Sequence, residues 1–87
     1  MTTVIAVHDV DDLVRWRNSP KRAEFFKAHG MTVRTFVSVD GKKRVGVLIE
    51  NVPSLEALKK ALQGADAAAA MKHDGVHPDS LEIFVAT

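Results

Sequence analysis

Residues 31–51 read MTVRTFVSVDGKKRVGVLIEN, and this stretch decides the fold. Apolar or β-branched residues occupy the odd positions from 31 to 39 and again from 45 to 49, which is the period-two pattern of a β-strand. Asp40-Gly41 between the two runs is a strong turn signal. A three-residue loop with Gly41 in the left-handed conformation keeps odd positions beside odd positions, whereas a two-residue loop would mix the two faces. The stretch therefore predicts a β-hairpin with a three-residue loop.

The two faces of this hairpin are expected to pack against different parts of the protein. The odd positions form an apolar face that requires helices. The even positions include Phe36 and Leu48 beside Arg34, a mixture too apolar for a plain solvated surface, although single exposed apolar residues are normal on soluble proteins. We expect a second copy of the chain to cover this face, with Arg34, Phe36 and Leu48 in the homodimer interface. The ion pairs expected between subunits join arginines to acids, namely Arg34 and Arg44 to Glu50 or Glu82.

Length and composition exclude several classes of protein. The 87 residues form one domain, residues 1–87, which is small enough to leave little margin of stability. A formal net charge of +1 with interspersed acids and bases provides no basic surface for nucleic acid or for a membrane. The absence of cysteine excludes disulfides, zinc-thiolate sites and thiol nucleophiles. The first residues lack the pattern of a signal peptide, so we expect a cytoplasmic protein.

The segment before the hairpin predicts a strand and a broken helix. Thr2–His8 is apolar on both faces, as expected of a central strand. A short helix over Leu13–Arg17 is interrupted at Asn18-Ser19-Pro20 and then restarts, because serine is a good N-cap and proline is tolerated at the first helical position. Gly30 ends the second part as a left-handed cap. The inner stripe of that part is expected to contain Ala23, Phe25, Phe26 and His29.

The segment after the hairpin repeats this plan. Ser54 caps a second helix, Gly64 weakens it, the alanine-rich run 65–71 resumes it and Gly75 ends it. Residues 76–79 are predicted to be a connection and Ser80–Ala86 a last strand. The order β-α-β-β-α-β indicates the ferredoxin-like α+β fold, a four-stranded antiparallel sheet with two helices on one face and with the first and third strands in its centre.

Many functions share this fold, and the residues exclude three of them. RNA-recognition modules need aromatic residues on the two central strands, and residues 4–7 and 44–49 have none. Metal-binding relatives need a pair of cysteines after the first strand, and the chain has no cysteine. Acylphosphatase-like enzymes need a glycine-rich phosphate loop at the same place, where His8-Asp9-Val10-Asp11 is acidic instead.

Three features make the chain resemble the dimeric alpha-beta barrel superfamily over nearly its whole length. They are Trp16 in the broken first helix, His29-Gly30 leading into a long strand, and Met71-Lys72-His73-Asp74-Gly75-Val76 at the end of the alanine-rich helix. The superfamily contains small cofactor-free monooxygenases, polyketide cyclases, muconolactone isomerase and uncharacterised proteins. The resemblance implies that two sheets pack face to face in a homodimer and that each subunit binds a ligand between its helices and its sheet.

The histidines are the candidate catalytic residues, because they are the only side chains that titrate near neutral pH. His29 and His73 each lie at a helix end, where a histidine either caps the helix or acts as a general base at the mouth of a pocket. His73 and His77 have the i, i+4 spacing of a metal pair, but the glycine between them should break the helix, so we expect no metal. His8 is expected to form a local hydrogen bond beside Asp9.

The candidate ligand contacts are large apolar side chains. Trp16, Phe26 and Met71 form either the core of a small domain or the wall of a small-molecule pocket. We therefore expect a homodimer that binds a small, partly apolar molecule and uses no cofactor. Two functions remain open: proton transfer or cofactor-free oxidation assisted by His29 or His73, and a binding or assembly module without turnover.

Overall fold

The computed structural model describes all 87 residues and shows a four-stranded antiparallel sheet with helices packed on one face. The elements are β1 (Thr2–Val10), α1 (Leu13–Asn18), α2 (Lys21–Ala28), β2 (Thr32–Val37), β3 (Arg44–Val52), α3 (Leu55–Leu62), α4 (Ala65–Asp74) and β4 (Val76–Val85). The strands lie in the order β2-β3-β1-β4, which confirms the ferredoxin-like α+β fold. Each of the two predicted helices is divided into two short ones. No helix is long and apolar enough to span a membrane.

The hairpin has the predicted register but a longer loop. Val33 pairs with Ile49 and Val37 with Val45, so odd positions lie beside odd positions. The pairing stops there, and residues 38–43 lie outside both strands. The chain leaves β2 in a turn at Ser38, whose carbonyl accepts the N–H of Gly41 at 3.3 Å and whose hydroxyl accepts the N–H of Asp40 at 3.2 Å. Gly41 has the predicted left-handed conformation, with φ of 72°.

The core lies between the two central strands and the helices. The even positions of β1 and the odd positions of β3 face the helices and are buried, including Val4, Val47 and Ile49. Trp16 and Leu58 are the largest helical side chains that pack against them with no more than 1% exposure. The strand β2 is an edge strand that the helices cover only in part, so its Thr35 and Val37 are exposed even though they share the inner face.

The predicted inner stripe of α2 is only half right. Phe26 is buried and Phe25 half-buried, but Ala23 and His29 are exposed. Arg22 points inward instead, and its guanidinium carbon lies 3.8 Å from the centroid of the Trp16 ring. A planar guanidinium stacks well on an indole. This contact explains why Arg22, and not the neighbouring Ala23, points inward.

The last strand begins four residues earlier than expected. Val76 and His77 pair with Val10 and Asp9, and the register then shifts before pairing resumes at Glu82. The irregularity accommodates Pro78, which has no N–H to give to the ladder. The hydroxyl of Ser80 accepts the backbone N–H of Asp9 at 2.8 Å and thus replaces a strand hydrogen bond.

The sheet face opposite the helices is uncovered in the single chain. Ile5, Phe36 and Phe84 are each about half exposed on this face, at 45%, 48% and 55%. Arg44, which is expected to pair across subunits, also lies here and already has partners within the single chain. It donates to Asp9 at 2.9 Å and to Glu82 at 2.5 Å within its own chain, because strand pairing already brings both acids to it.

Candidate functional site

A cavity of about 80 Å³ lies between the helices and the sheet. Trp16, Phe26 and Met71, the three residues predicted to contact a ligand, all lie on its wall. Fifteen residues line the cavity and twelve of them are apolar. The other three are His8 from β1, Arg22 from α2 and Asp74 from the end of α4. An apolar pocket with a few convergent polar groups is the usual form of a small-molecule site.

Trp16 organises the polar end of this cavity. Its short helix α1 is fixed at the start by Asp12, whose carboxylate accepts the backbone N–H of Arg15 at 3.0 Å. The indole is 1% exposed and presents different parts of its ring system to two polar groups. The His8 ring approaches edge-on with centroids 5.9 Å apart, and Arg22 stacks over the face. Trp16 therefore brings a histidine and a cation together although they come from different elements.

His8 is the histidine that sequence reasoning missed. The local interaction expected beside Asp9 involves its backbone, which acts to raise the pKa of His8. The Asp9 carboxylate pairs with Arg44 instead, and Nδ1 of His8 makes no hydrogen bond of normal geometry. His8 is 6% exposed because the even positions of β1 face the helices. Burial is the main cause that lowers its pKa, and the nearby charge of Arg22 acts in the same direction. His8 therefore places an imidazole with a lowered pKa on the cavity wall.

Arg22 and Asp74 form a buried pair of opposite charges. Nη1 of Arg22 lies 3.7 Å from Oδ2 of Asp74, and the two side chains are 11% and 4% exposed. Nη1 and Nη2 both donate to the carbonyl oxygen of Trp16 at 3.2 Å. Burial lowers the pKa of Arg22, while the charge of Asp74 opposes this. Removing two charges from water costs free energy. Because the pair lies on a cavity wall in spite of this cost, we interpret this part of the wall as a candidate site.

The structure separates the two predicted catalytic histidines. His73 lies at the end of α4, where Nδ1 is 2.8 Å from Oδ1 of Asp74, and its side chain is half exposed. It thus connects a residue of the cavity wall to solvent. His29 lies at the end of α2, where its ring packs on Phe25 with centroids 4.7 Å apart. It is exposed and does not line the cavity.

A group of charged residues holds the end of α4 against the turn between β1 and α1. Arg15 donates from Nε to the carbonyl of His73 at 2.8 Å and from Nη2 to that of Lys72 at 3.0 Å, which satisfies helix-terminal acceptors. The Asp11 carboxylate hydrogen-bonds Nε2 of His77 at the start of β4. That bond raises the pKa of His77 and lowers the pKa of Asp11.

No family model and no curated protein matches the sequence. A solved structure described as "Crystal structure of antibiotic biosynthesis monooxygenase" matches the fold with a TM-score of 0.63. It is 15% identical in sequence, and the match covers 100% of this chain and 97% of that one. The chain has the ferredoxin-like fold of that protein. The resemblance inferred from Trp16, His29-Gly30 and residues 71–76 is thus confirmed at the level of fold.

Replacing His77 with glutamine tests the Asp11–His77 pair through the pH dependence of the melting temperature. His77 has a raised pKa, so its contribution is full below its ordinary value of 6.5 and is lost as the pH rises through the higher folded pKa. Asp11 has a lowered pKa, so its contribution is full above its ordinary value of 3.8 and is lost as the pH falls through the lower folded pKa. We expect the difference between wild type and H77Q to be largest between these two values.

The comparison isolates the pair because both proteins contain His8. The lowered pKa of His8 makes acid destabilise each of them equally, so this effect cancels in the difference. A difference in melting temperature that stays constant from about pH 4 to about pH 9 would show that the pair does not stabilise the fold.

Proposed function

We propose that the chain forms a homodimer and that each subunit binds a small, largely apolar molecule in the cavity between its helices and its sheet. The observation that carries this proposal is the cavity wall, where twelve apolar residues are joined by only three polar ones. The similarity in fold to a protein described as an antibiotic biosynthesis monooxygenase supports a small organic ligand.

The size of the cavity limits the ligand. Pockets for drug-sized molecules have volumes of roughly 300–1,000 Å³, whereas this one measures about 80 Å³. A molecule of a few heavy atoms fits without rearrangement. A larger one requires movement of wall residues, and Met71 is suited to this because an unbranched thioether side chain adapts its shape easily. Small ligands or the end of a longer one are therefore the best match.

The proposed dimer uses the uncovered sheet face. A second copy would cover the exposed parts of Ile5, Phe36 and Phe84, which lie on one side of the sheet without helices. Leu48 is partly buried on the same face, and the guanidinium of Arg34 lies 5.7 Å from the Phe36 ring. A chain of this length buries a smaller share of its unfolded surface than a larger domain does, so association would add stability as well as cover the apolar residues.

Catalysis and simple binding differ in the part they assign to the histidines. In the catalytic alternative the protein carries out proton transfer or cofactor-free oxidation, and His73 exchanges protons with the cavity through Asp74. The 2.8 Å contact between these two residues favours this alternative. His29 is the weaker candidate because it lies outside the cavity wall. In the other alternative the protein binds its ligand without turnover and both histidines only cap helices.

Filling the cavity tests the binding site. Ala70 lines the cavity, whereas Ala68 is exposed on the same helix, so A70L and A68L differ in location but not in chemistry. We expect cyclohexanol, a small apolar probe, to change the fluorescence of wild type and A68L, and A70L to lose at least about tenfold in affinity because leucine occupies the space. Trp16 is the only tryptophan and there is no tyrosine, so the emission reports on this cavity. Equal binding to all three proteins would contradict the proposed site.

A charge on the uncovered face tests the dimer. We expect F36E to convert the protein from a dimer to a monomer, because the symmetric interface would then bury two glutamates, one from each copy, without a partner. Val39 is 98% exposed in the hairpin loop, so V39E is the matched control and should remain dimeric. Light scattering at micromolar concentration measures the mass against the 9.5 kDa of one chain. A monomeric wild type would contradict the dimer.

Alanine at each of the two histidines separates the catalytic and binding alternatives. As caps alone, each histidine contributes about 0.3–1 kcal/mol, so H73A and H29A would lower the melting temperature alike and leave the cavity unaffected. We expect instead that H73A changes the pH dependence of probe affinity and that H29A does not, because only His73 contacts a residue of the cavity wall. Identical behaviour of the two variants would favour the binding module.

A further inference from the structure

Arg22 has a pair of hydrogen-bond donors that the protein does not use. A guanidinium carries five N–H donors in a fixed planar arrangement. One N–H on Nη1 and one on Nη2 converge on the carbonyl oxygen of Trp16, each at 3.2 Å. The two N–H groups that bond this oxygen lie at the end of the guanidinium, opposite Nε. The N–H of Nε and the second N–H of Nη2 form another pair along one side of the group, and this side pair has no hydrogen-bond partner. This side pair has the spacing of the two oxygens of a carboxylate.

The charge of Arg22 is also only partly balanced. Asp74 is the one acid paired with it, and their closest atoms are 3.7 Å apart, which is beyond a normal hydrogen bond. The other oxygen of Asp74 has a closer partner in His73, at 2.8 Å. A cation that is nine-tenths buried and lacks a hydrogen-bonded anion is unfavourable by itself. A bound anion would correct this.

His8 supplies a second unpartnered group on the same wall. His8 is 94% buried, its Nδ1 makes no hydrogen bond of normal geometry, and its ring lies at 74° to the indole on which Arg22 stacks, with centroids 5.9 Å apart. A neutral imidazole donates one hydrogen bond and accepts one. This imidazole is therefore the candidate second donor beside Arg22 on the cavity wall.

We infer that the polar end of the cavity binds a carboxylate, so that the ligand is a small carboxylic acid with an apolar body. Arg22 holds the two carboxylate oxygens with its side pair of donors, and His8 donates to one of them. The apolar body packs against apolar residues of the cavity wall such as Phe26 and Met71. This inference rests on the proposed binding function and names the chemical class that the same cavity selects.

Matched acids and amides test the inference, because they share a shape and differ in charge. The probes are butyrate with butyramide and benzoate with benzamide. Butyrate requires less movement of Met71, and benzoate tests whether the wall accepts a ring. Affinity is measured by calorimetry and by the shift of the single indole N–H signal of Trp16 in NMR spectra. We expect each acid that enters the cavity to bind at least about tenfold more tightly than its amide, since charge-assisted hydrogen bonds are the stronger ones.

Two substitutions at the pair should change acid affinity in opposite directions. We expect R22M to remove the preference for acid over amide. We expect D74N to increase acid affinity severalfold, because it removes the anion that competes for Arg22 while keeping a side chain of the same shape. A purely structural Arg22–Asp74 pair would not give that increase. R17M is the matched control, since Arg17 is an exposed arginine of α1, and it should bind like wild type.

R22M leaves Asp74 buried without its cation, so the double variant R22M/D74N is measured beside it. If R22M unfolds, the folded double variant must still show the loss of preference. Acids and amides that bind equally, with binding lost in A70L, would overturn the carboxylate inference and leave the cavity site supported. Failure of all four probes to bind, together with failure of cyclohexanol, would contradict both the inference and the proposed function.

Discussion

The alternation of side chains along β1 is the constraint on which the rest of the structure depends. This strand lies between β3 and β4 and is apolar on both faces. Its even positions, Val4, Ala6 and Val10, pack under the helices, while Ile5 on the other face stays half exposed. Because successive side chains must point to opposite faces, the same alternation builds the core, leaves a surface open to a partner and directs His8 into the core layer.

The cavity follows from how this layer meets the helices. Arg22 stacks on the aromatic face of Trp16. Two hydrogen bonds to the carbonyl oxygen of the same residue fix the orientation of the guanidinium. Asp74 reaches the arginine from the last position of α4, and Gly75, with φ of 71°, ends the helix directly after it. The small side chains of α4 leave room between helix and sheet. The indole of Trp16 thus belongs to the apolar core and also contacts the polar residues His8 and Arg22 of the cavity wall.

Most of the fold could be predicted from the sequence, and less of the site. Local patterns determined the hairpin register and the helix ends at Gly30 and Gly75, because period-two alternation and left-handed glycines depend on neighbours in sequence. The errors lie where strands begin and end. A turn at Ser38 ends β2 early, and long-range pairing of Val76 and His77 with β1 makes β4 begin early.

The site residues show the same division between local and distant causes. Trp16, Phe26 and Met71 were found because large apolar groups at helical spacing must face inward. The inward position of His8 could have been read from its parity with Val4 and Ala6. No local signal indicated Arg22, since a charged residue on a short helix normally faces water, and its partner Asp74 is 52 positions away in the sequence.

The position of β1 in the sheet also governs the order in which the molecule can assemble. The first strand of the chain pairs with the last, and the paired residues Val4 and Val85 are 81 positions apart in the sequence. Closing so long a loop is slow compared with forming a helix or a local hairpin. We expect β2 and β3 to pair early and β4 to dock late, so the cavity, which needs residues from β1, α2 and α4, is among the last parts of the fold to take shape.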